Sequence, residues 1–160
     1  MIENGADKDT KELVCNLVLD GRLEEEMMEL YYNEYLISNN KSLISADRVC
    51  ELLSQSYWAN TRSREKIELS IKNSICIGVY KSGTQVGFAR IITDYATMYW
   101  LCDVIIDEEH RGKGLGKQLM GFIGNIEELK GLRGILSTKD AHGLYEQNGY
   151  RKDGEHFMVR

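Results

Sequence analysis

Residues 98–117 read MYWLCDVIIDEEHRGKGLGK, and the order of apolar residues, glycines and cations in this stretch constrains the architecture most strongly. Its first half, residues 98–106, is apolar apart from Asp103, which predicts a strand that lies centrally in a sheet and is covered on both faces. Its second half places glycines at positions 112, 114 and 116 beside three cations, and a helix is predicted from about Gly114 to Lys130. A buried strand therefore leads through a glycine-rich loop into a long helix.

The glycine-rich loop has the features of an anion-binding site. Glycines let the backbone approach a ligand closely and take positive φ angles. The N–H groups of a helix's first turn have no intrahelical acceptor and lie at the positive end of the helix dipole, where phosphate or pyrophosphate binds. Arg111, Lys113 and Lys117 add positive charge. A tight structural turn with solvated basic residues is the alternative interpretation.

Two common phosphate-binding motifs do not fit this loop. A Walker loop needs GxxxxGK followed by Ser or Thr, but Gln118 follows Lys117 and Arg111 stands at the early glycine position. A dinucleotide-binding fingerprint needs a third glycine where Lys117 stands, and a parallel βαβ unit around it. The short turns before the loop instead indicate antiparallel neighbours.

The flanking sequence predicts a mixed domain of helices and strands. Ser45 and Ser63 are predicted to open two helices, the second near residues 63–72. The other predicted strands are 32–38, 74–80, 85–93, 133–137 and a last one at HFMVR (156–160), and a short helix is predicted over 140–148. This order predicts an α/β (α+β) fold with a mixed, mostly antiparallel sheet flanked by helices.

Charge divides the chain into two parts. Residues 1–30 hold nine acidic and three basic side chains, whereas the other 130 residues hold sixteen acidic and seventeen basic ones. We therefore expect an acidic N-terminal extension over residues 1–30 and one domain over residues 31–160. The extension is either a helix or hairpin packed on the domain, or a solvated tail. The formal net charge of −5 argues against nucleic acid as a partner.

The cellular compartment is predicted from three features that the sequence lacks: a membrane span, a signal peptide and a CxxC pair. No apolar run reaches the length of a membrane span, and the N-terminus lacks the basic-then-apolar order of a signal peptide. The four cysteines form no CxxC pair, which argues against a zinc ribbon or a thioredoxin-like motif. We expect reduced thiols, no metal, no membrane association and a cytoplasmic location.

Two motifs in this sequence carry a resemblance to a known family. Arg111, Gly114 and Gly116 form the pattern R-x-x-G-x-G, and residues 141–150 read AHGLYEQNGY about thirty residues later. They resemble the acyl-CoA-binding motif and the A-x-x-L-Y-x-x-x-G-F segment of the GNAT superfamily of N-acetyltransferases, with Tyr150 in place of Phe. The resemblance covers about four-fifths of the chain, from residue 32 onward. The stretches SYWA (56–59), GFAR (87–90) and DAHG (140–143) resemble a small bacterial branch of the superfamily, of unknown substrate.

The resemblance implies a sheet splayed at its central strands to hold acetyl-CoA, and transfer of the acetyl group to a primary amine of a small molecule or peptide. It implies that the pyrophosphate lies on the loop and that the pantetheine arm runs beside the preceding strand. Thr138 is assigned to the same site because it stands where many members carry Asn. The other cosubstrate-binding residues so implied are Val104, Ile105, Ile106, Arg111, Gly112, Lys113, Gly114, Leu115, Gly116 and Lys117.

Catalysis is assigned to Tyr145 and Asp103, with Asp94, at the end of its strand, as the other candidate base. Tyr145 matches the superfamily's tyrosine that faces the thioester sulfur, which implies a general acid; a tyrosine packed against the sheet is the alternative. Asp103 is the candidate general base because burial would raise its pKa. In a regular strand Asp103 shares a face with Tyr99 and Leu101. An ion pair with Arg90 is the alternative for Asp103.

The acceptor site is predicted from residues near the first two helices. Tyr57 and Trp58 lie between those helices, where the superfamily covers its acceptor, although Trp58 would equally suit a core position. Aromatic rings beside Asp103 or Asp94 would suit a cationic amine. Arg62 and Arg90 would instead suit an acceptor with a carboxylate or phosphate. The sequence leaves both alternatives open.

Two other functions and one assembly are compatible with these residues. An acyl-CoA sensor would keep the loop without turnover, but the retained Tyr145 favours an enzyme. An interaction protein built on the acidic N-terminus would leave the loop's glycines and cations without a role. The apolar residues 157–159 could add to a partner's sheet, which would give a homodimer.

Overall fold

The computed structural model describes residues 13–17, 26–154 and 157–159. These residues form seven strands and four α-helices. The strands are β1 (Leu13–Leu17), β2 (Glu26–Tyr32), β3 (Tyr35–Ser38), β4 (Ile75–Lys81), β5 (Thr84–Thr93), β6 (Met98–Ile106) and β7 (Arg133–Leu136). The helices are α1 (Ala46–Ser54), α2 (Arg64–Lys72), α3 (Leu115–Gly124) and α4 (His142–Glu146).

The strands form one sheet in sequence order, from β1 to β7. Every neighbouring pair is antiparallel except β6 and β7, which are parallel and connected through α3. The short turns from β4 to β6 produce the antiparallel meander that the sequence predicts. The predicted mixed, mostly antiparallel sheet is therefore confirmed.

Helices cover the two faces of the sheet with separate apolar cores. Leu119, Phe122 and Ile123 of α3 pack in one cluster with Ile77 and other strand residues. The second cluster joins α1 and α2 to the opposite face, with Val49, Leu52, Ile67, Cys76 and Phe88. Neighbouring strand residues alternate between the two clusters, as the strand period of two requires. Each fully buried large apolar side chain contributes about 1.5–3 kcal/mol.

Local signals place the two N-terminal helices as predicted. The Ser45 hydroxyl accepts a hydrogen bond from the Arg48 N–H at 3.3 Å, and the Ser63 hydroxyl accepts one from the Lys66 N–H at 3.4 Å. These contacts satisfy N–H groups that the helix itself leaves without acceptors. A serine in front of an apolar stripe was sufficient to locate both helix starts.

The predicted first strand, 32–38, is wrong because a turn interrupts it. Asn33 has a φ of 51°, and Tyr32 pairs directly with Tyr35 across the two-residue turn. Residue 32 therefore ends β2, and residues 29–32 of β2 pair with the whole of β3. The sheet continues across the boundary expected between residues 30 and 31. Of the predictions for the extension, the hairpin is seen in β1 and β2, and the rest of residues 1–25 lies outside the described residues.

Two predictions in the C-terminal half are also wrong. The helix expected to reach Lys130 ends at Gly124, because the Asn125 side chain donates to the Gly121 carbonyl at 2.9 Å and closes it. A 3₁₀ turn, Glu127–Leu129, continues the apolar pattern. The expected final strand is not formed by residues 157–159, which have no regular structure, and residues 155, 156 and 160 lie outside the described chain.

β6 differs from the predicted central strand in position and in regularity. It is second from the β7 edge of the sheet, and alternate residues along it are only half-buried. Its pairing with β5 shifts between Phe88 and Arg90, and Asp103 takes a φ of 55°. The extra residue in this bulge changes the face of the sheet to which the following side chains of β6 point. Leu101 therefore packs in the α3 core, whereas Ile105 packs with α1 and α2, and the predicted shared face of Asp103 and Leu101 is wrong.

Candidate active site

The site lies where β6 and β7 separate. The two strands pair from Met98 with Arg133 to Leu101 with Leu136, and β7 then ends while β6 continues to Ile106. On its β7 side, the backbone of residues 102–106 has no strand partner in the described chain. Buried N–H and C=O groups need partners. An extended ligand that carries amide groups can supply them in the manner of an added strand.

An uncapped helix start lies just beyond the end of β6. Gly112 and Gly114 have φ angles of 76° and 78°, a region that side chains with a Cβ rarely adopt. Gly114 is the N-cap of α3, and no side chain caps the helix there. The N–H groups of the first turn are thus available to an anion, as the glycine pattern predicts.

The three loop cations surround this helix start in different ways. The Arg111 Nε donates to the Ile106 carbonyl at 3.0 Å, which ties the loop to the end of β6. The Lys113 Nζ lies 3.4 Å from the Tyr35 hydroxyl, which is also 3.0 Å from Nδ1 of His110. Lys117 is exposed. The Tyr35–His110 contact joins β3 to the loop and has no signal in the sequence.

Gly116 brings the last helix against the loop. A Cβ at this position would lie 3.6 Å from Cδ2 of Leu144 in α4, which is ordinary contact, whereas a larger side chain would collide. The third glycine of the motif therefore allows α3 and α4 to pack closely. That packing sets Tyr145, the residue after Leu144, beside the gap between β6 and β7.

Tyr145 is held in a cluster of tyrosines. Its ring meets Tyr150 edge-to-face at 6.0 Å, and the Tyr150 and Tyr99 hydroxyls are 2.7 Å apart. Among the described residues, none hydrogen-bonds the Tyr145 hydroxyl. Burial, and then the charge of Asp140, raises the pKa of Tyr145 to about 12. The phenol is therefore protonated at neutral pH.

A cavity of about 400 Å³ adjoins Tyr145 on the α1–α2 side, and we call it the site cavity. The structure brings eight of the predicted site residues together in its lining: Tyr57, Trp58, Arg62, Arg90, Asp103, Val104, Thr138 and Tyr145. Trp100, Cys102 and Asp140 also line it but were missed. The alternation of strand residues could have indicated Trp100 and Cys102, whereas Asp140 follows only from the position of α4.

The aromatic pair lies at the mouth of the site cavity. Tyr57 and Trp58 are 53% and 43% exposed, so Trp58 does not fill the core. Their rings meet edge-to-face at 5.0 Å. The Lys139 backbone N–H donates to the Tyr57 hydroxyl at 3.1 Å, which connects this mouth to the segment before α4.

Asp103 forms the ion pair that was the alternative to a base. Both the Arg62 Nη1 and the Arg90 Nε donate to its Oδ2, at 2.7 and 2.8 Å. Burial raises the pKa of Asp103, but the hydrogen bonds and charges of the two arginines outweigh burial and hold that pKa below its ordinary value. Asp103 is an anion at neutral pH and, in this setting, a weak base.

Asp94 is not brought to the site. Its Oδ1 accepts hydrogen bonds from the backbone N–H groups of Ala96, Thr97 and Met98, and Thr97 also donates its hydroxyl to Oδ2. These bonds hold the pKa of Asp94 well below its usual range. The side chain closes the turn between β5 and β6, so its expected contact with the acceptor is not supported.

The described residues contain neither a cluster of metal ligands nor a membrane-spanning helix. No three His, Cys, Asp or Glu side chains within them are placed to hold a metal ion. No helix among them combines the length and apolar character needed to cross a bilayer. Cys50, Cys76 and Cys102 form no disulfide with one another.

Comparison with known proteins decides the family. The model of the acetyltransferase (GNAT) domain matches residues 72–152. A predicted acetyltransferase of Gibberella zeae is 30% identical over 148 residues, which cover 78% of this chain and 82% of that protein. The chain belongs to the GNAT acetyltransferase family. Members of this family use acetyl-CoA as the cosubstrate.

Solved structures of GNAT proteins agree with this fold. A GNAT-family protein from Xanthomonas campestris pv. campestris is 38% identical, with a TM-score of 0.75 over 79% of this chain and 92% of that one. Glucosamine-6-phosphate N-acetyltransferase from Arabidopsis thaliana is 17% identical, with a TM-score of 0.59 over 79% of this chain and 97% of that one. The second likeness shows the fold alone.

Proposed function

We propose that this GNAT protein transfers the acetyl group of acetyl-CoA to a primary amine of a small molecule or peptide by direct attack. The observation that carries the proposal is the position of Tyr145. Its protonated hydroxyl, unpaired within the described chain, lines the site cavity beside the open segment of β6. A proton donor at a gap that fits an extended thioester arm suits acyl transfer.

The residues at the gap fit acetyl-CoA. The uncapped start of α3 and the cations around it suit the pyrophosphate. The segment of β6 beyond Leu101, which has no strand partner on its β7 side within the described chain, suits the two amides of the pantetheine arm. We assign pyrophosphate binding to residues 111–117 and pantetheine binding to the backbone of Val104, Ile105 and Ile106. Thr138 lines the cavity, and its hydroxyl accepts from the Ala141 N–H at 3.0 Å, which leaves its proton to donate.

Tyr145 acts on the leaving group in this scheme. Acetyl-CoA, when bound, supplies an acetyl thioester whose carbonyl carbon the neutral amine attacks. Tyr145 holds a proton on its phenol oxygen and directs it to the departing sulfur. Its pKa of about 12 exceeds the value of about 8.5 for a thiol. The hydroxyl therefore stabilises the thiolate chiefly by donating a hydrogen bond rather than by giving up its proton completely.

A different group must receive the amine proton. The two arginines engage Asp103, so we assign Asp103 to hold their guanidiniums in place rather than to act as the base. Asp140 is exposed, lines the site cavity and acts electrostatically on Tyr145. It is the better-placed carboxylate to accept the amine proton, through a water molecule.

Replacing Tyr145 by Phe tests the proposal. We expect kcat for thiol release to fall about ten- to a hundredfold, because a hydrogen bond to a charged group contributes about 1.5–3 kcal/mol, while acetyl-CoA affinity in a calorimetric titration stays unchanged. Tyr31→Phe is the matched control, since Tyr31 is half exposed on β2, and should leave both values intact.

The same assays separate the enzyme from the sensor alternative. A sensor would bind acetyl-CoA and release no thiol with any amine. A Tyr145→Phe variant with wild-type kcat would contradict the role given to this tyrosine.

A further inference from the structure

Two arginines and one aspartate share one wall of the site cavity. Arg62 and Arg90 donate to the same oxygen of Asp103, and the exposed fractions of the three side chains are 25%, 11% and 2%. The cluster therefore carries one positive charge that Asp103 does not balance. A largely buried charge is costly unless a counter-charge accompanies it. An anionic ligand would supply that counter-charge.

The two guanidiniums keep hydrogen-bond donors for a ligand. Each guanidinium has five N–H groups. Within the described chain Arg62 donates only to Asp103, and Arg90 donates to Asp103 and, at 3.1 Å, to the Ser74 hydroxyl. Because Asp103 fixes both groups, little further conformational entropy is lost on binding. The remaining planar edges match the paired oxygens of a carboxylate or phosphate.

The charges of the site cavity are separated. Asp140 acts on Tyr145, whereas the charges acting on Asp103 are those of Arg90 and Arg62. The reacting amine belongs near Tyr145, where the negative charge of Asp140 favours an ammonium ion before its proton is removed. An acceptor with an amine at one end and an anionic group at the other would match both ends.

A purely cationic acceptor fits less well. Tyr57 and Trp58 could receive a cation, but the Lys139 ammonium already lies 5.7 Å from the centre of the Tyr57 ring. Oδ1 of Asp103 accepts no hydrogen bond within the described residues, yet a second ammonium there would face both guanidiniums. Like charges at such distances repel.

We propose that the acceptor is a small primary amine that carries a carboxylate or phosphate group, and that Arg62, with Arg90 behind it, binds this anionic group. The cavity of about 400 Å³ suits a small molecule. This inference rests on the proposed acetyl transfer, because it names the acceptor of the same site. It decides between the two acceptor classes that the sequence leaves open.

Paired amines that differ in one terminal group test the inference. Thiol release from acetyl-CoA is measured with γ-aminobutyrate, butylamine and putrescine, and with O-phosphoethanolamine and ethanolamine. We expect kcat/KM for an anionic amine to exceed that of its uncharged-tail partner about ten- to a hundredfold, as for a hydrogen bond to a charged group. The two anionic amines distinguish a carboxylate from a phosphate site.

Variants of Arg62 assign the preference to that residue. Arg62→Met should abolish the preference for the anionic amine, and Arg62→Lys should restore part of it, while acetyl-CoA affinity stays unchanged in both. Arg64→Met is the matched control: Arg64 pairs with Asp47 and Glu68 on the surface of α2, and the preference should persist. Circular dichroism shows whether each variant folds. If Arg62→Met does not fold, the amine preference of Arg62→Lys still tests the role of Arg62.

The outcomes separate this inference from the proposed function. In one outcome acetyl-CoA binds, butylamine or putrescine is acetylated as fast as γ-aminobutyrate, and phosphoethanolamine is acetylated no faster than ethanolamine. This result would overturn the anionic acceptor and leave acetyl transfer standing. Acetyl-CoA binding without thiol release from any of the five amines would overturn the inference and favour the sensor. A folded wild type that binds no acetyl-CoA would overturn the proposed function, and the inference with it.

Discussion

Gly114 shows how one residue links the backbone of the loop to its chemistry. Its φ of 78° is a conformation that costs an ordinary residue about 1–2 kcal/mol, and a Cβ there would lie 3.3 Å from the Tyr32 hydroxyl. Gly121, seven residues farther along, is helical with open space around it. The two glycines thus differ in what a side chain would meet.

Alanine at these two positions should act in opposite directions. Gly114→Ala should lower the free energy of unfolding by about 1–2 kcal/mol because of the positive φ. Gly121→Ala should raise it by about 0.4–1 kcal/mol, because it restricts the unfolded chain and suits a helix. Urea denaturation of both variants measures the difference, and equal effects would show that the loop does not need the left-handed conformation.

Among the helices, strands and turns, those whose structure depends on a few neighbouring residues could be predicted from the sequence. The two serine caps, the β4–β5 turn and the strand–loop–helix unit were predictable for this reason. The bulge at Asp103 was not, because it depends on pairing with β5 and on the two arginines, which approach from β5 and from the segment before α2. The end of α3 was missed because Ile126 and Leu129 continue its apolar pattern in a 3₁₀ turn.

The contact between α3 and α4 gives a prediction at the scale of these elements. Gly116→Leu should push against Leu144, move α4 and lower kcat, with a loss of stability of about 1–3 kcal/mol from overpacking. Leu144→Ala in the same chain should restore part of both values, because it removes the colliding side chain. Thermal unfolding and thiol release measure them, and a double variant no better than Gly116→Leu would show that the two residues act independently.

At the scale of the whole molecule, the N-terminal hairpin is continuous with the domain. β2 contributes Met28 and Leu30 to the core that also contains α3, and Tyr32 and Tyr35, around its turn, contact the loop that precedes α3. The charge asymmetry located an acidic segment but could not show that residues 13–17 and 26–30 pair within the sheet. Strand pairing between distant segments leaves little trace in composition.

Met28 tests this continuity. Met28 is 2% exposed, so Met28→Ala should lower the free energy of unfolding by about 2–5 kcal/mol through the cavity it leaves. Tyr31→Ala, at a half-exposed position of the same strand, should cost much less. Chemical denaturation compares them. A neutral Met28→Ala would mean that the hairpin adds nothing to the core, as expected of a separate extension.

The homodimer through residues 157–159 stays a prediction. Met158 and Val159 are fully exposed, and the Phe157 ring meets Trp100 edge-to-face at 6.5 Å. These residues offer an apolar surface, and no described strand covers the outer edge of β7.

The proposed function depends on acetyl-CoA binding by the loop from Arg111 to Lys117, at the gap between β6 and β7. Calorimetric titration of acetyl-CoA into the wild type, Gly114→Glu and Gly121→Glu tests it most directly. The two variants add the same charge to the same segment, but only residue 114 lies at the uncapped helix start. We predict a Kd in the micromolar range for the wild type and Gly121→Glu, and no measurable binding for Gly114→Glu. A folded wild type that binds no acetyl-CoA, or a Gly114→Glu variant that binds it as tightly, would contradict the proposed binding.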